Sequence, residues 1–181
     1  MSRIFGPMRQ LGLVVRDFDA ALRDWTEVQG IGPFYFFRDM PIADFRFRGV
    51  AAEPPIVSIA FGYTGDTQIE IIHQQNDVPS LYREFIDAGR NGLQHISGFC
   101  DSREAFDARR DAALAAGISP AQEGAIGGVR FCYFDTERTS GGVACEISES
   151  DMEGPRELFA GIRAEAAIWD GSNPLRPLII E

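Results

Sequence analysis

The chain has 181 residues, 45% of them hydrophobic and 24% charged, which is enough to build the core of one domain. A formal net charge of −10 argues against nucleic acid and anionic membrane surfaces as partners, because both attract basic patches. No stretch approaches the ~20 apolar residues of a membrane span, and the first residues lack the apolar segment of a secretory signal.

The first half of the chain predicts one helix among several strands. The predicted strands cover 8–15, 34–37, 45–48, 56–63 and 67–73. Apolar residues recur at helical spacing from Phe18 to Val28, and Asp17 precedes them as an N-cap, so 18–29 is predicted to be a helix. Met40-Pro41 is expected to end the second strand, and Gly65-Asp66 to form a hairpin turn.

The second half repeats this order after a link in which 79–88 is predicted to be a short helix. The predicted strands cover 92–100, 119–126, 129–135 and 143–148, and the predicted helices 103–116 and 155–169. The tail, 173–180, is expected to be extended, with its apolar residues packed on a partner subunit or on the chain's own sheet. Two halves of like order predict paired modules at 8–76 and 92–150, followed by a C-terminal helix and tail at 151–181.

Four predicted strands each carry a polar residue among apolar ones: Gln10, Glu70, His95 and Glu146. The first and third lie in the first strands of the two halves, and the two glutamates lie in the last strands. Because burying an unpaired charge costs several kcal/mol, these residues need partners. We interpret them as converging on one metal ion. His73 lies three residues beyond Glu70 and is expected on the opposite face of its strand.

Other arrangements would satisfy the same residues. Gln10 would also suit a hydrogen-bonded buried amide, and His95 a hydrogen-bonded core histidine. The two glutamates would also suit buried ion pairs with arginine. The available arginines are Arg9, Arg46, Arg48 and Arg130. The three cysteines, an odd number without a close pair, indicate reduced thiols and a cytoplasmic protein.

The four stretches that carry these residues together resemble the vicinal oxygen chelate superfamily over roughly 8–150. The stretches are Gln10-Leu-Gly-Leu-Val-Val-Arg-Asp, Gln68-Ile-Glu-Ile-Ile, Leu93-Gln-His-Ile-Ser-Gly and Gly141-Gly-Val-Ala-Cys-Glu-Ile. The superfamily includes glyoxalase I, methylmalonyl-CoA epimerase, extradiol dioxygenases and the bleomycin and fosfomycin resistance proteins. The resemblance implies an α+β fold in which two βαβββ modules form an open, U-shaped mixed barrel around a divalent metal.

The resemblance also implies a ligand set and a reaction class. Gln10, Glu70, His95 and Glu146 are similar to the ligands of a glyoxalase-I-like site, whereas the overall spacing and the Gly-Gly before the last ligand resemble the epimerases. Such a site suits Zn, Ni, Co, Mn or Mg. The implied reaction is an isomerisation, epimerisation or elimination that begins with removal of a proton α to a carbonyl. Glu146 is the first candidate for the base, and Glu70 is its partner.

Two further functions stay open: a non-catalytic small-molecule binding or resistance protein, and a ring-cleaving dioxygenase. The dioxygenase is disfavoured because such sites use two histidines, whereas the candidate ligands here include one, His95. The expected partner is a small, hydrophobic or aromatic molecule, and a homodimer is expected. No signature for glutathione or coenzyme A is recognised. Aromatic residues considered for the pocket wall are Phe34, Tyr35, Phe36, Phe47, Phe61, Phe131 and Tyr133.

Overall fold

A single curved sheet dominates the computed structural model, which describes residues 1–137 and 141–178. Its strands are β1 (Met8–Val14), β2 (Phe34–Pro41), β3 (Ala43–Phe47), β4 (Val50–Ala51), β5 (Ile56–Thr64), β6 (Thr67–Gln74), β7 (Gly92–Phe99), β8 (Pro120–Ile126), β9 (Val129–Phe134), β10 (Ala144–Ser148) and β11 (Leu175–Pro177). The α-helices are α1 (Phe18–Arg23), α2 (Leu81–Asp87), α3 (Arg103–Ala115) and α4 (Pro155–Ala167). The predicted α+β fold class, an open curved sheet with few helices, is confirmed.

The strands follow the order β11-β2-β5-β6-β1-β7-β10-β9-β8-β3-β4. In each half, the first strand pairs in parallel with the last, as β1 does with β6 and β7 with β10. The two halves join through the antiparallel pair β1–β7. This order places β6, β1, β7 and β10 side by side at the centre of the sheet. We keep the module limits of 8–76, 92–150 and 151–181 as a proposal.

The connection from β2 to β3 departs from the prediction. Met40-Pro41 was expected to end the second strand, but β2 continues to Pro41, which pairs with Ile56. A register shift between Phe37 and Met40 accommodates Asp39, whose φ is 58°. Only Ile42 then separates β2 from β3, although β3 pairs with β8 on the far side of the strand order. The two edges of the sheet therefore approach each other at this corner.

The helices cover the sheet, and Asp17 caps α1 as the sequence predicts. The Asp17 carboxylate accepts a hydrogen bond from the Ala20 amide at 2.9 Å, and Ser80 and Ser102 cap α2 and α3 in the same way. The first predicted helix is α-helical only to Arg23 and continues as a π-helical turn, Asp24–Val28. Among the described residues, no helix combines the length and apolarity needed to cross a bilayer.

The C-terminal tail packs on the chain's own sheet. β11 pairs in parallel with β2, and the Leu178 amide donates to the Phe36 carbonyl at 2.6 Å. The expectation that the tail is extended is met here. Its last part, Ile179 and Ile180, lies outside the described residues.

Candidate functional site

The sheet brings the four predicted site residues together. Gln10 lies on β1, Glu70 on β6, His95 on β7 and Glu146 on β10, which are four adjacent strands. Their exposed fractions are 4%, 8%, 0% and 5%, respectively. Buried polar side chains on neighbouring strands must satisfy one another or hold a ligand.

His95 lies between the two carboxylates. Its Nε2 is 3.0 Å from Glu70 Oε2 and 3.5 Å from Glu146 Oε2. Its Nδ1 is 2.9 Å from the side-chain oxygen of Gln94. An amide oxygen only accepts, so Nδ1 carries the proton and donates it to Gln94. Nε2 is therefore the ring nitrogen that faces the site, where a neutral imidazole offers a lone pair.

A relay of amides fixes the orientation of Gln10. Its Nε2 donates to Gln68 Oε1 at 2.7 Å, and Gln68 Nε2 donates to the Tyr63 hydroxyl at 2.9 Å. The side-chain oxygen of Gln10 is then left buried without a hydrogen-bond partner. Glu146 Oε2 also has none. Each unsatisfied buried polar atom costs about 1–3 kcal/mol, so the two oxygens require an explanation.

A divalent cation fits these unsatisfied atoms. An amide oxygen, an imidazole nitrogen and two carboxylates are donors that such ions accept. Across residues 1–137 and 141–178, no group of three or more His, Cys, Asp and Glu side chains has the arrangement of a metal site. The side chains instead contact one another, with His95 bonded to Glu70. The metal-ligand set therefore stays a prediction, supported by the donor types and by the unsatisfied oxygens of Gln10 and Glu146.

Gly12 makes the approach of His95 possible. In the register of the sheet, Gly12 pairs with Glu70 on one side and with His95 on the other. A Cβ at this position would lie 1.8 Å from Cε1 and 1.9 Å from Nε2 of His95. The imidazole therefore occupies the space that any other residue would fill. The ring also meets Tyr133 edge-on, with centroids 4.8 Å apart.

Burial and mutual charge shift the pKa values of the site. Burial raises the pKa of Glu146 from 4.5 to about 8; the charge of His95 opposes this shift and that of Glu70 adds to it. Burial lowers the pKa of His95, but the hydrogen bond to Glu70 and the charges of Glu146 and Glu70 outweigh it, so the net pKa is raised. Near neutral pH, Glu146 and His95 consequently hold protons that an incoming cation must displace.

We expect the chelator-treated, metal-free protein to lose stability between pH 6 and 9. A carboxyl with a raised pKa destabilises the folded state increasingly from its unfolded pKa of 4.5 up to its folded pKa of about 8. His95, with a raised pKa, contributes stability that is fully present below its unfolded pKa of 6.5 and is lost above its folded pKa. Both effects act in the same direction, and a loss of about 1–2 kcal/mol would lower Tm by roughly 3–6 °C.

Glu146→Gln is the variant that tests this pH dependence. It keeps the shape of the side chain and removes its titration, so its Tm should fall by about half as much between pH 6 and 9 in thermal unfolding followed by circular dichroism. Equal losses of Tm in the parent and in Glu146→Gln would show that groups other than Glu146 cause the pH dependence of stability.

A cavity of about 330 Å³ opens onto the two carboxylates and Gln10. Its walls are mostly apolar and come from the sheet, from α4 and from the tail. They include Phe37, Ile59, Phe61, Ile126, Val129, Phe131, Leu158, Phe159 and Leu178. Of the aromatic residues considered for the wall from sequence, Phe61 and Phe131 line the cavity. The others, Phe34, Tyr35, Phe36, Phe47 and Tyr133, are not among its described lining residues.

Two of the arginines considered as partners for the glutamates, Arg130 and Arg48, form ion pairs elsewhere. Arg130 pairs with Glu149 at 2.6 Å and with Asp107 at 3.0 Å, and Arg48 pairs with Glu84 at 2.7 Å. Among the described residues, no arginine forms an ion pair with Glu70 or Glu146. His73 is also separate from the site, since its Nδ1 lies 3.0 Å from the Val15 carbonyl oxygen.

Sequence reasoning missed the residues that support the site. Gln68 and Gln94 orient the predicted ligands, and Gly12 makes room for one of them. The signal for Gln68 was present, because strand alternation places it on the same face as Glu70. Nothing in the alternation distinguishes Gly12, since its role depends on which strands lie on either side of it.

The chain is thus a protein of one open curved sheet whose central strands, β6, β1, β7 and β10, carry a buried polar cluster. The sequence profile of the Glyoxalase/Bleomycin resistance protein/Dioxygenase superfamily matches residues 9–133. The chain therefore belongs to this superfamily, also called the vicinal oxygen chelate superfamily, and the predicted resemblance is confirmed.

Solved structures share the fold at low sequence identity. Methylmalonyl-CoA epimerase from Mycobacterium tuberculosis is similar over 88% of this chain and 95% of its own, with a TM-score of 0.55 and 15% identity. Hypothetical protein BH1468 from Bacillus halodurans C-125 is similar over 78% and 92%, with a TM-score of 0.53 and 18% identity. No curated protein sequence matches this chain. These structural likenesses establish the fold.

Proposed function

We propose that the protein is a divalent-metal-dependent isomerase, epimerase or lyase that removes a proton α to a carbonyl of a small, hydrophobic or aromatic substrate. The observation that carries this proposal is the pair of buried carboxylates beside His95, both of which line a mostly apolar cavity. Membership of a superfamily that contains such enzymes supports it. We also propose a homodimer and a cytoplasmic location, which suits the three free, buried cysteines.

The residues that would hold the cation are Gln10, Glu70, His95 and Glu146, through oxygen, nitrogen and carboxylate donors. Zn, Ni, Co, Mn and Mg are the candidate ions. When bound, the cation would act as a Lewis acid that stabilises negative charge on a carbonyl oxygen. Activation of the carbonyl through a lysine Schiff base is excluded, because the chain contains no lysine.

The two glutamates have different surroundings, which suggests different roles. Glu70 Oε2 lies 3.0 Å from His95 Nε2, and this contact holds the imidazole in place. Glu146 keeps one oxygen free of hydrogen bonds, so this oxygen is available to accept a proton from a substrate. We therefore assign the proton transfer to Glu146 and the positioning of His95 to Glu70. The apolar walls would exclude water from the reacting carbon.

The residues of this chain do not support a ring-cleaving dioxygenase. Iron(II) oxygenases of this kind use two histidines and one carboxylate. The chain has two histidines, and His73 contacts the Val15 carbonyl outside the cavity. A binding protein without turnover keeps the same cavity and is separated from the enzyme by the experiment below.

Metal titration tests the proposal. Calorimetry of the chelator-treated protein with Zn²⁺ and Mn²⁺ should show one tight site, weakened at least about 100-fold in Glu70→Ala and His95→Ala. His73→Ala is the matched control, because it removes the other histidine and should bind metal like the parent. Equal affinities in the parent, Glu70→Ala and His95→Ala would refute the metal site.

Turnover is tested by isotope exchange in D₂O. The metal-loaded protein should replace the α-protons of 2-hydroxyacetophenone by deuterium, followed by proton NMR, and the metal-free protein should not. Metal binding without exchange from this ketone or from methylmalonyl-CoA would favour the binding protein over the enzyme.

A further inference from the structure

Helix α4 and the tail form one wall of the cavity, and both lie outside the region that matches the superfamily profile, 9–133. Pro155, Leu158 and Phe159 contribute from α4, and Leu178 from the tail. Because this wall lies outside the part of the chain that matches the superfamily, it can give the cavity a shape particular to this chain.

This wall is held firmly against the sheet. The Phe159 ring packs edge-on against Phe61, with centroids 5.1 Å apart, and stacks on Phe99 at 6.3 Å. Ile162, one turn further along the helix, is 2% exposed. Arg163 forms an ion pair with Asp66 at 2.9 Å. The shape of the cavity is therefore largely set before any ligand enters, which limits what it accepts.

Arg176 links the tail to α4 and adds a side-chain contact with β2. Arg176 pairs with Glu165 of the helix and donates to the Tyr35 hydroxyl at 2.8 Å. Its guanidinium lies 5.5 Å from the centre of the Tyr35 ring. These contacts hold the part of the tail from which Leu178 lines the cavity.

The ionisable side chains among the described lining residues of the cavity are all acidic. Its ionisable described lining residues are Glu70 and Glu146, and none of its described lining residues is an arginine. Two arginines near the outer face of α4 are already paired, Arg156 with Asp151 at 3.1 Å and Arg163 with Asp66. Two carboxylates already balance a divalent cation, so a further anionic group would be buried without a counter-charge.

We propose that the cavity selects an uncharged carbonyl compound with an aromatic or branched alkyl body. We also propose that its lining, to which α4 and Leu178 add only apolar side chains, rejects compounds with a carboxylate or phosphate. This inference rests on the proposed function for the position of the reacting carbonyl. The cavity volume of about 330 Å³ is at the lower end of the range for small-molecule sites, which suits a compound of one ring with a short side chain.

Binding of two near-isosteric probes tests the inference. 2-Hydroxyacetophenone and phenylglyoxylate share the phenyl ketone, and they differ in a neutral hydroxymethyl group against a carboxylate. Calorimetry with the full chain, both metal-free and loaded with Zn²⁺, should show the ketone binding at least tenfold more tightly in both forms. Tighter or equal binding of phenylglyoxylate to either form overturns the inference.

A charge-introducing variant locates the selection on α4. Leu158→Arg places a cation in the wall and should lower the preference for the ketone at least tenfold. The matched control is Leu114→Arg on α3, because the two leucines have nearly equal exposure, 42% and 43%, and Leu114 lies outside the cavity lining. Equal preferences in the two variants would also overturn the inference. If the protein prefers the ketone but binds no metal, the proposed metal-dependent enzyme is wrong, whereas the proposed selectivity is still supported.

Discussion

Replacing Gly12 by alanine is expected to destabilise the protein by about 2–3 kcal/mol and to abolish tight metal binding. The added Cβ would lie 1.8 Å from the His95 ring, and its position is fixed by the backbone, so no rotamer avoids the clash. The ring has little room to move, because His95 is fully buried and also packs against Tyr133. Displacing the ring moves Nε2 away from both carboxylates. Urea unfolding and calorimetric titration with Zn²⁺ measure the two losses.

Gly161→Ala is the matched control for this prediction. Gly161 lies within α4, and a Cβ there would meet nothing within 4 Å. Alanine is preferred over glycine in a helix, so this variant should gain about 0.5–1 kcal/mol and bind metal like the parent. A second test removes the ring: Gly12→Ala combined with His95→Ala should be more stable than the sum of the two losses predicts. Strict additivity would show that the clash with His95 is not the cause.

The sequence was sufficient to predict the strands of the site, because alternation has a period of two and each strand carried one polar residue out of place. Glu70 and Glu146 stand out in this way among isoleucines, alanine and cysteine. The same pattern predicted that both would be buried, and they are 8% and 5% exposed. What the alternation does not contain is the order of strands in space. That order is seen only in the structure, where β6, β1, β7 and β10 lie side by side.

Contacts between distant parts of the chain were beyond prediction for a physical reason. The role of Gly12 follows from having Glu70 on one side and His95 on the other, which are 58 and 83 residues away. The one-residue connection between β2 and β3 at Ile42 depends on a bulge that lets β2 continue past Asp39. The amphipathic helix α4 was predicted, but its spacing does not reveal which surface it covers. Its place over the cavity depends on Phe61 and Phe159 meeting in three dimensions.

Glu146→Gln is expected to lower the rate of α-proton exchange by about 10²–10⁴-fold, the range that general acid–base catalysis contributes. The amide keeps the size of the side chain and an oxygen donor, so the variant should still bind Zn²⁺, though more weakly than the parent. It cannot accept the proton, because an amide has no basic site near neutral pH. NMR of 2-hydroxyacetophenone in D₂O measures the rate under metal saturation.

Glu70→Gln separates the two carboxylates. Glu70 is the one that bonds to His95, so its replacement should disturb the imidazole and lower metal affinity more than Glu146→Gln does. Once saturated with Zn²⁺, Glu70→Gln should retain more exchange than Glu146→Gln, because the carboxylate with the oxygen free of hydrogen bonds is intact. Loss of exchange confined to Glu70→Gln would reverse the roles of the two glutamates, since the base would then be the carboxylate bonded to the histidine.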